Sequence, residues 1–499
     1  MIIMILVTAS NQETTYVCSR IQVDPFMKKY SLLFFLSVPF LALISMLAGP
    51  GCANIIPPTG GPKDTVPPVL VQANPENYSF HFKGNKIILQ FDEYLDVKDL
   101  HQNLIVSPVP KTEPSIESKL KTITIHIRDT LQPNTTYSIN FGNSIRDINE
   151  GNVLKNYTYV FSTGPYIDTA EYRGTVLVSS TGKADSTLIV MLHNKLDDDS
   201  AVAKKRPRYI THVGKDGHFV FHFLQPGTYD IFALQDDNGQ HKYTSRGQMF
   251  AFLDSPIVVG PPSAPVMMYA FADTTGLKLP KKTTTTTTTK KPPKEKEKRL
   301  IVQLNLLQGQ LDLLSTLEFR FPTPLKYFDS SKVRFTDENF KDITQYHFVE
   351  DTSNKLITLQ YKWAPNTKYH IIAAKDFAAD TAGNQLLKTD TVSFQTKRES
   401  DYGSLRLRFT NVDLKRNPVL QFVQTDKVVK SYVFGNSRNF YEKLFQPGDY
   451  EMRILYDKNK NGVWDPGDFY KHLQPEIVAP VKKKLTVRSN WDNEGDVTL

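Results

Sequence analysis

The run Leu131-Gln132-Pro133-Asn134-Thr135-Thr136-Tyr137-Ser138-Ile139 returns far downstream as Trp363-Ala364-Pro365-Asn366-Thr367-Lys368-Tyr369-His370-Ile371. Three more matches follow in the same order: Gly151-Asn152 with Gly383-Asn384, Tyr159-Val160-Phe161-Ser162-Thr163 with Val392-Ser393-Phe394-Gln395-Thr396, and Gln225-Pro226-Gly227-Thr228-Tyr229 with Gln446-Pro447-Gly448-Asp449-Tyr450. After each final Tyr an Asp stands seven residues on, Asp236 and Asp457. Two different patterns repeated in one order require two copies of an A-B pair of small units. Between the copies lie Lys281-Lys282, threonines from Thr283 to Thr289, and Lys290-Lys291-Pro292-Pro293 followed by a Lys/Glu tract to Arg299. That composition reads as a semi-extended linker.

Within the copies the hydrophobic period is two. Ile87, Leu89 and Phe91 share one face, as do Ile123, Ile125 and Ile127, while Thr122, Thr124 and His126 point away. Such strands recur at the spacing of antiparallel sandwiches, which predicts an all-β chain of tandem sandwiches. The units expected are 66–165 and 300–398 (pattern A) and 166–274 and 399–489 (pattern B), with a Pro/Gly tether at 53–65, the linker at 275–299 and a tail at 490–499.

The formal charge of +8 does not indicate a nucleic-acid surface once it is located. Lys281, Lys282, Lys290, Lys291, Lys294, Lys296, Lys298 and Arg299, less Glu295 and Glu297, supply +6 of it in the linker, so the folded parts are near neutral and no nucleic-acid partner is expected. The two cysteines, Cys18 and Cys52, both precede the β-rich sequence and cannot staple it. From Met27 the chain reads Met-Lys-Lys-Tyr, an apolar run Ser31 to Ala48, then Gly49-Pro50-Gly51-Cys52. This is an export signal, with residues 1–26 as an upstream extension and Met27 as the start. Cys52 after a small residue resembles the acylated cysteine of bacterial lipoproteins, although Gly49 and Pro50 depart from the usual pattern. An uncleaved N-terminal anchor helix is the alternative, since the run is marginally long enough to span a bilayer. Either way the chain is exported and held at the membrane.

Pattern A carries Ile88-Leu89-Gln90-Phe91-Asp92-Glu93-Tyr94, an L-x-P-N-T-x-Y hairpin, a turn with two or three residues between an Asp and Gly-Asn (Asp147, Gly151, Asn152; Asp380, Gly383, Asn384) and a closing F-S-T strand. It resembles the SbsA-type bacterial Ig-like domain, less closely in the second copy, where Phe319-Arg320-Phe321-Pro322 replaces the acidic opening. Pattern B, with Gly217-His218-Phe219-Val220-Phe221-His222-Phe223-Leu224-Gln225-Pro226-Gly227-Thr228-Tyr229, resembles the prealbumin-like sandwich of carboxypeptidase regulatory domains. Both resemblances imply accessory modules without catalysis.

One loop carries cation chemistry. Asp457, Asn459, Asn461, Val463, Asp465 and Asp468 stand at the spacing of an EF-hand calcium loop, with Gly462 at the sharp turn and Asp468 in place of the usual Glu. The bland reading is a hairpin loop whose side chains bind their own backbone. His218 and His222 sit four apart on a strand, about 13 Å from each other and too far to share a metal, with Phe219, Phe221 and Phe223 on the opposite face. Asp92 and Glu93 point to opposite faces, and Asp197-Asp198-Asp199 has no accompanying nucleophile or His. Trp464 and Tyr470 are candidates for stacking on a sugar.

These features point to a non-catalytic, lipid-anchored outer-membrane protein, facing the periplasm or the surface, that acts as a spacer or adhesin-like module for an envelope protein. The alternatives are a polysaccharide-binding accessory lipoprotein and a calcium-stiffened array. No cofactor other than that calcium is implied.

Overall fold

Strand alternation decides the architecture. In Lys86–Phe91 the residues Ile87, Leu89 and Phe91 are buried and Lys86 and Gln90 exposed, so one face meets water and the other a core. A computed structural model of the chain describes residues 63–195, 199–260, 264–273 and 299–499. Among them the structure is all-β, broken by two four-residue helices, Leu100–Asn103 and Ala201–Lys204, and a few 3-10 turns. The expected N-terminal helix, Cys52 and the Thr/Lys linker lie outside the described residues, of which Thr65–Leu499 form one compact unit.

Four cores are each enclosed by two sheets. In the first, Leu70–Asn74, Lys86–Phe91, Thr122–His126 and Ser115–Lys119 face Thr158–Ser162, Thr136–Asn140 and Ile105–Ser107 across Ile87, Leu89, Ile123, Tyr137 and Phe161. The second sets His218–Leu224, Ala170–Val178 and Val266–Ala270 against Tyr209–His212, Leu188–Asn194, Gly227–Gln235 and Phe250–Phe252. The third repeats the first in kind around Phe335, Tyr369 and Phe394. The fourth repeats the second: Asn439–Phe445, Gly403–Thr410 and Asp492–Thr498 face Lys427–Val433, Pro418–Gln424, Gly448–Tyr456 and Ile477–Pro480.

The repeated sequence motifs repeat as hydrogen bonds. The Tyr137 hydroxyl accepts the Gln132 amide at 2.8 Å, and the Tyr369 hydroxyl accepts the Ala364 amide at 3.3 Å. The hydroxyls of Thr163 and Thr396 donate to the carbonyls of Gln132 and Ala364 at 2.7 and 2.6 Å. In the other pattern, Tyr229 and Tyr450 each donate to the carbonyl four residues back, Gln225 and Gln446, at 2.8 Å. Each Tyr buries its ring and still satisfies its polar tip, which pins the turn to the strand.

Three details differ from the sequence reading. Residues 490–499 were expected as a tail, yet Asp492–Thr498 is a strand paired in parallel with Gly403–Thr410, as Val266–Ala270 is with Ala170–Val178. Its Asp-Asn-Glu-Gly-Asp composition has poor strand propensity, and pairing with a formed neighbour overrides it. Phe223 does not share the face of Phe219 and Phe221: its φ is +58°, the register slips opposite Ala170/Tyr172, and Leu224 enters the core instead. The opening strand ends at Phe91, so Asp92 and Glu93 lie in the turn, where Asp92 accepts the Val69 amide at 2.7 Å.

Candidate functional site

The loop that follows Gly448–Tyr456 is held by bonds of its own side chains. Asp457, 1% exposed, accepts the amides of Lys460 and Gly462, each at 2.6 Å. The side-chain oxygens of Asn459 and Asn461 accept the amides of Asn461 and Val463 at 3.1 and 2.7 Å. With those oxygens turned to the backbone, both side-chain NH2 groups donate to one oxygen of Asp465 at 2.7 Å. Glu476, unnoticed in the sequence, closes the loop: its carboxylate accepts the amides of Lys458 and Asp465 at 2.6 and 3.1 Å.

Asn459, Asn461 and Asp465 therefore gather beside the turn closed by Asp457, while Asp468 points elsewhere. Its carboxylate accepts the Tyr470 amide at 3.1 Å and lies 3.2 Å from Lys471 and 3.9 Å from Arg246. Burial pushes this carboxyl up, but Lys471 and Arg246 outweigh it and hold it below the ordinary value. Val463 is exposed at the loop tip. Since the Asn amides present donors to Asp465, the loop closes on itself, and we expect a chelator to leave the melting temperature unchanged. A fall on chelation that calcium restores would show that the Asn side chains turn round to ligate the ion.

The two stacking candidates have different surroundings. Trp464 is half-buried, packs in two apolar clusters, and its indole N–H donates to the Glu476 carbonyl at 2.9 Å. Tyr470 is 47% exposed beside Tyr243 and Phe469. Between them Phe469 is 4% exposed and enters a cluster that belongs to the first half of the chain. Its ring centroid lies 5.1 Å from those of Phe250 and Phe252, 5.9 Å from Phe232 and 6.0 Å from Tyr243, all near edge-on, the favoured aromatic geometry.

The remaining candidates bond neighbouring segments of their own sandwich, except Asp199, which meets a His of the second half that its sequence surroundings do not offer. His218 contacts the Thr175 hydroxyl at 2.9 Å and His222 the Glu171 carboxylate at 2.6 Å. Asp236, counterpart of Asp457, accepts the amides of Gln240 and His241. Asp199 lies 3.0 Å from His472, and Asp197 and Asp198 fall outside the described residues. His193, 2% exposed against Phe232, has its pKa lowered to about 4 by burial and by Lys205, so it is neutral at pH 7. Among the described residues no group of three or more His, Cys, Asp or Glu converges to hold a metal, and no helix is long and apolar enough to cross a membrane.

A search of curated proteins found no match. Among solved structures, the chain is similar to the Bacillus anthracis TIE protein (11% identity, 88% of this chain, 75% of that one, TM-score 0.16). It is also similar to BcpA, the major pilin subunit of Bacillus cereus (11% identity, 66% and 98%, TM-score 0.15). A third likeness is to the BSP domain of a biofilm-associated protein (8% identity, 81% and 92%, TM-score 0.15). A family model gives the firmer likeness: residues 64–163, the stretch that encloses the first core, match the bacterial Ig-like domain.

Proposed function

We propose that the chain is an exported envelope protein, anchored by a lipid on Cys52, whose two A-B pairs of sandwiches (66–165, 166–274, 300–398 and 399–489) form a non-catalytic structural or adhesin-like module at the outer membrane. The observation that carries this reading is the placement of the polar candidates. Asp457, Asp465, Glu476, His218 and His222 each bond a backbone amide or a neighbouring side chain of their own sandwich, which is framework chemistry. The family match at 64–163 supports it, as does the recurrence of the tyrosine and threonine hydroxyl bonds at Tyr369 and Thr396.

The anchor is tested by the mass of the mature protein isolated from envelopes. We expect an acylated N-terminal Cys52, and a Cys52→Ala variant that accumulates uncleaved. An N-terminus at any other residue, or an unmodified thiol, overturns the lipid anchor and favours the membrane-helix alternative.

A further inference from the structure

We infer that the two halves of the chain form a clasp, in which the loop from Trp464 to Gln474 of the second half docks on the outer aromatic face of the B-type sandwich in the first. This goes beyond a spacer of independent units: the partner of that face is the chain's own other half. Leu188–Asn194 is buried on both sides, with Leu188, Val190 and Leu192 in its own core and Ile189 and Met191 in the cluster that takes Phe469. In the second half residues 418–423 are likewise buried, and Val419, Leu455 and Val478 form a separate cluster with Trp464. Swinging the halves apart would bare Phe232, Leu234, Phe250 and Phe252 together as one contiguous apolar patch.

The contact has the make-up of a stable interface, an apolar centre inside a polar rim. Around Phe469, Gln474 Nε2 donates to the Phe252 carbonyl and to Asp254 at 3.2 and 3.1 Å, and His472 lies 3.0 Å from Asp199. At the far end Lys183 lies 2.9 Å from Glu451 and 3.4 Å from Asp426, beside the buried Arg453, and the Val478 amide donates to the Ser179 carbonyl at 2.9 Å. Two glycines permit the approach. A Cβ on Gly182 (φ +66°) would stand 2.4 Å from both Pro480 Cδ and the Val478 carbonyl, and one on Gly467 would stand 2.8 Å from the Phe271 ring.

The test places a protease site between Thr289 and Lys290 of the full chain. After cleavage the halves should co-elute at one to one through dilution to low micromolar concentration. Phe469→Ala should weaken their association by at least about 30-fold. Lys183→Glu, at a half-exposed side chain that leaves both cores intact, should weaken it about tenfold, with partial recovery on adding Glu451→Lys. Wild-type halves that separate on cleavage overturn the clasp. So does unchanged association in Lys183→Glu together with Phe469→Ala, provided circular dichroism shows both halves folded.

Discussion

Phe335→Ala should lower the stability of the third sandwich by about 3–5 kcal/mol, the range for removing a fully buried aromatic ring. Phe335 is 1% exposed, with the rings of Tyr361, Tyr369, Tyr346 and Trp363 at 5.0, 5.3, 5.4 and 5.7 Å. Three edge-on rings and the tilted Tyr369 cannot all collapse into the space one ring leaves, so the cavity persists. For a unit of this size each kcal/mol moves the midpoint by roughly 4–8 °C, which puts the earliest calorimetric transition more than about 10 °C lower. Phe340→Ala is the control. That ring stacks on His370 at 4.3 Å but is 54% exposed, and its removal should change stability by under about 0.5 kcal/mol. Equal losses in the two variants would refute the placement of the third core.

Asp147→Ala should destabilise the first sandwich by about 2–4 kcal/mol, and Asp380→Ala the third by a similar amount. Asp147, 2% exposed, accepts the amides of Glu150, Gly151 and Asn152 at 2.6, 2.9 and 2.7 Å. Asp380 accepts those of Ala382 and Asn384, and the Asn384 side chain, each at 2.9 Å. Alanine leaves these donors without an acceptor in a turn whose Gly151 and Gly383 have φ of +78° and +83°. Burial pushes the Asp147 carboxyl up, but the amides of Gly151, Glu150, Asn152 and Asn149 outweigh it, and its pKa is lowered. At Asp380 the Asn384 side chain leads, against burial, to the same direction. A folded pKa below the unfolded value of about 3.9 means full stabilisation above that pH and progressive loss as pH falls through the folded value. Acid unfolding below pH 4 should therefore flatten in the two variants, as measured by denaturant midpoints across pH. An unchanged acid limb would remove these carboxylates from the account.

Much of this was legible in the residues. The paired recurrence of the Pro-Asn-Thr-x-Tyr and Gln-Pro-Gly-x-Tyr hairpins, and the alternation of Ile87, Leu89 and Phe91, carried the strand character because one face of each strand meets water. The strand at Asp492–Thr498 was not legible: only Val497 is buried there, and its stability comes from the neighbour it pairs with. The docked loop was missed for a different reason. Its ligand-like spacing lies at Asp457 and Asp465, while the signal for docking lies in Leu188-Ile189-Val190-Met191-Leu192 and Val419-Leu420, apolar runs without alternation. Such runs mark strands covered on both sides. Glu476 carries no local pattern, since its role depends on a loop that returns on itself.

The two B-type units differ where their duplication could have been most dangerous. In the first, the connection from Gly227–Gln235 to Phe250–Phe252 opens with a turn, Asp236 to His241, closed on one carboxylate; in the second, the equivalent connection from Gly448–Tyr456 to Ile477–Pro480 is longer and carries Phe469. A head-to-tail contact between like units propagates into an open filament when every unit owns both the projection and the receiving face. Here the projection of the second unit meets the receiving face of the first within one polypeptide, so this contact is spent inside the chain and offers nothing to a further copy.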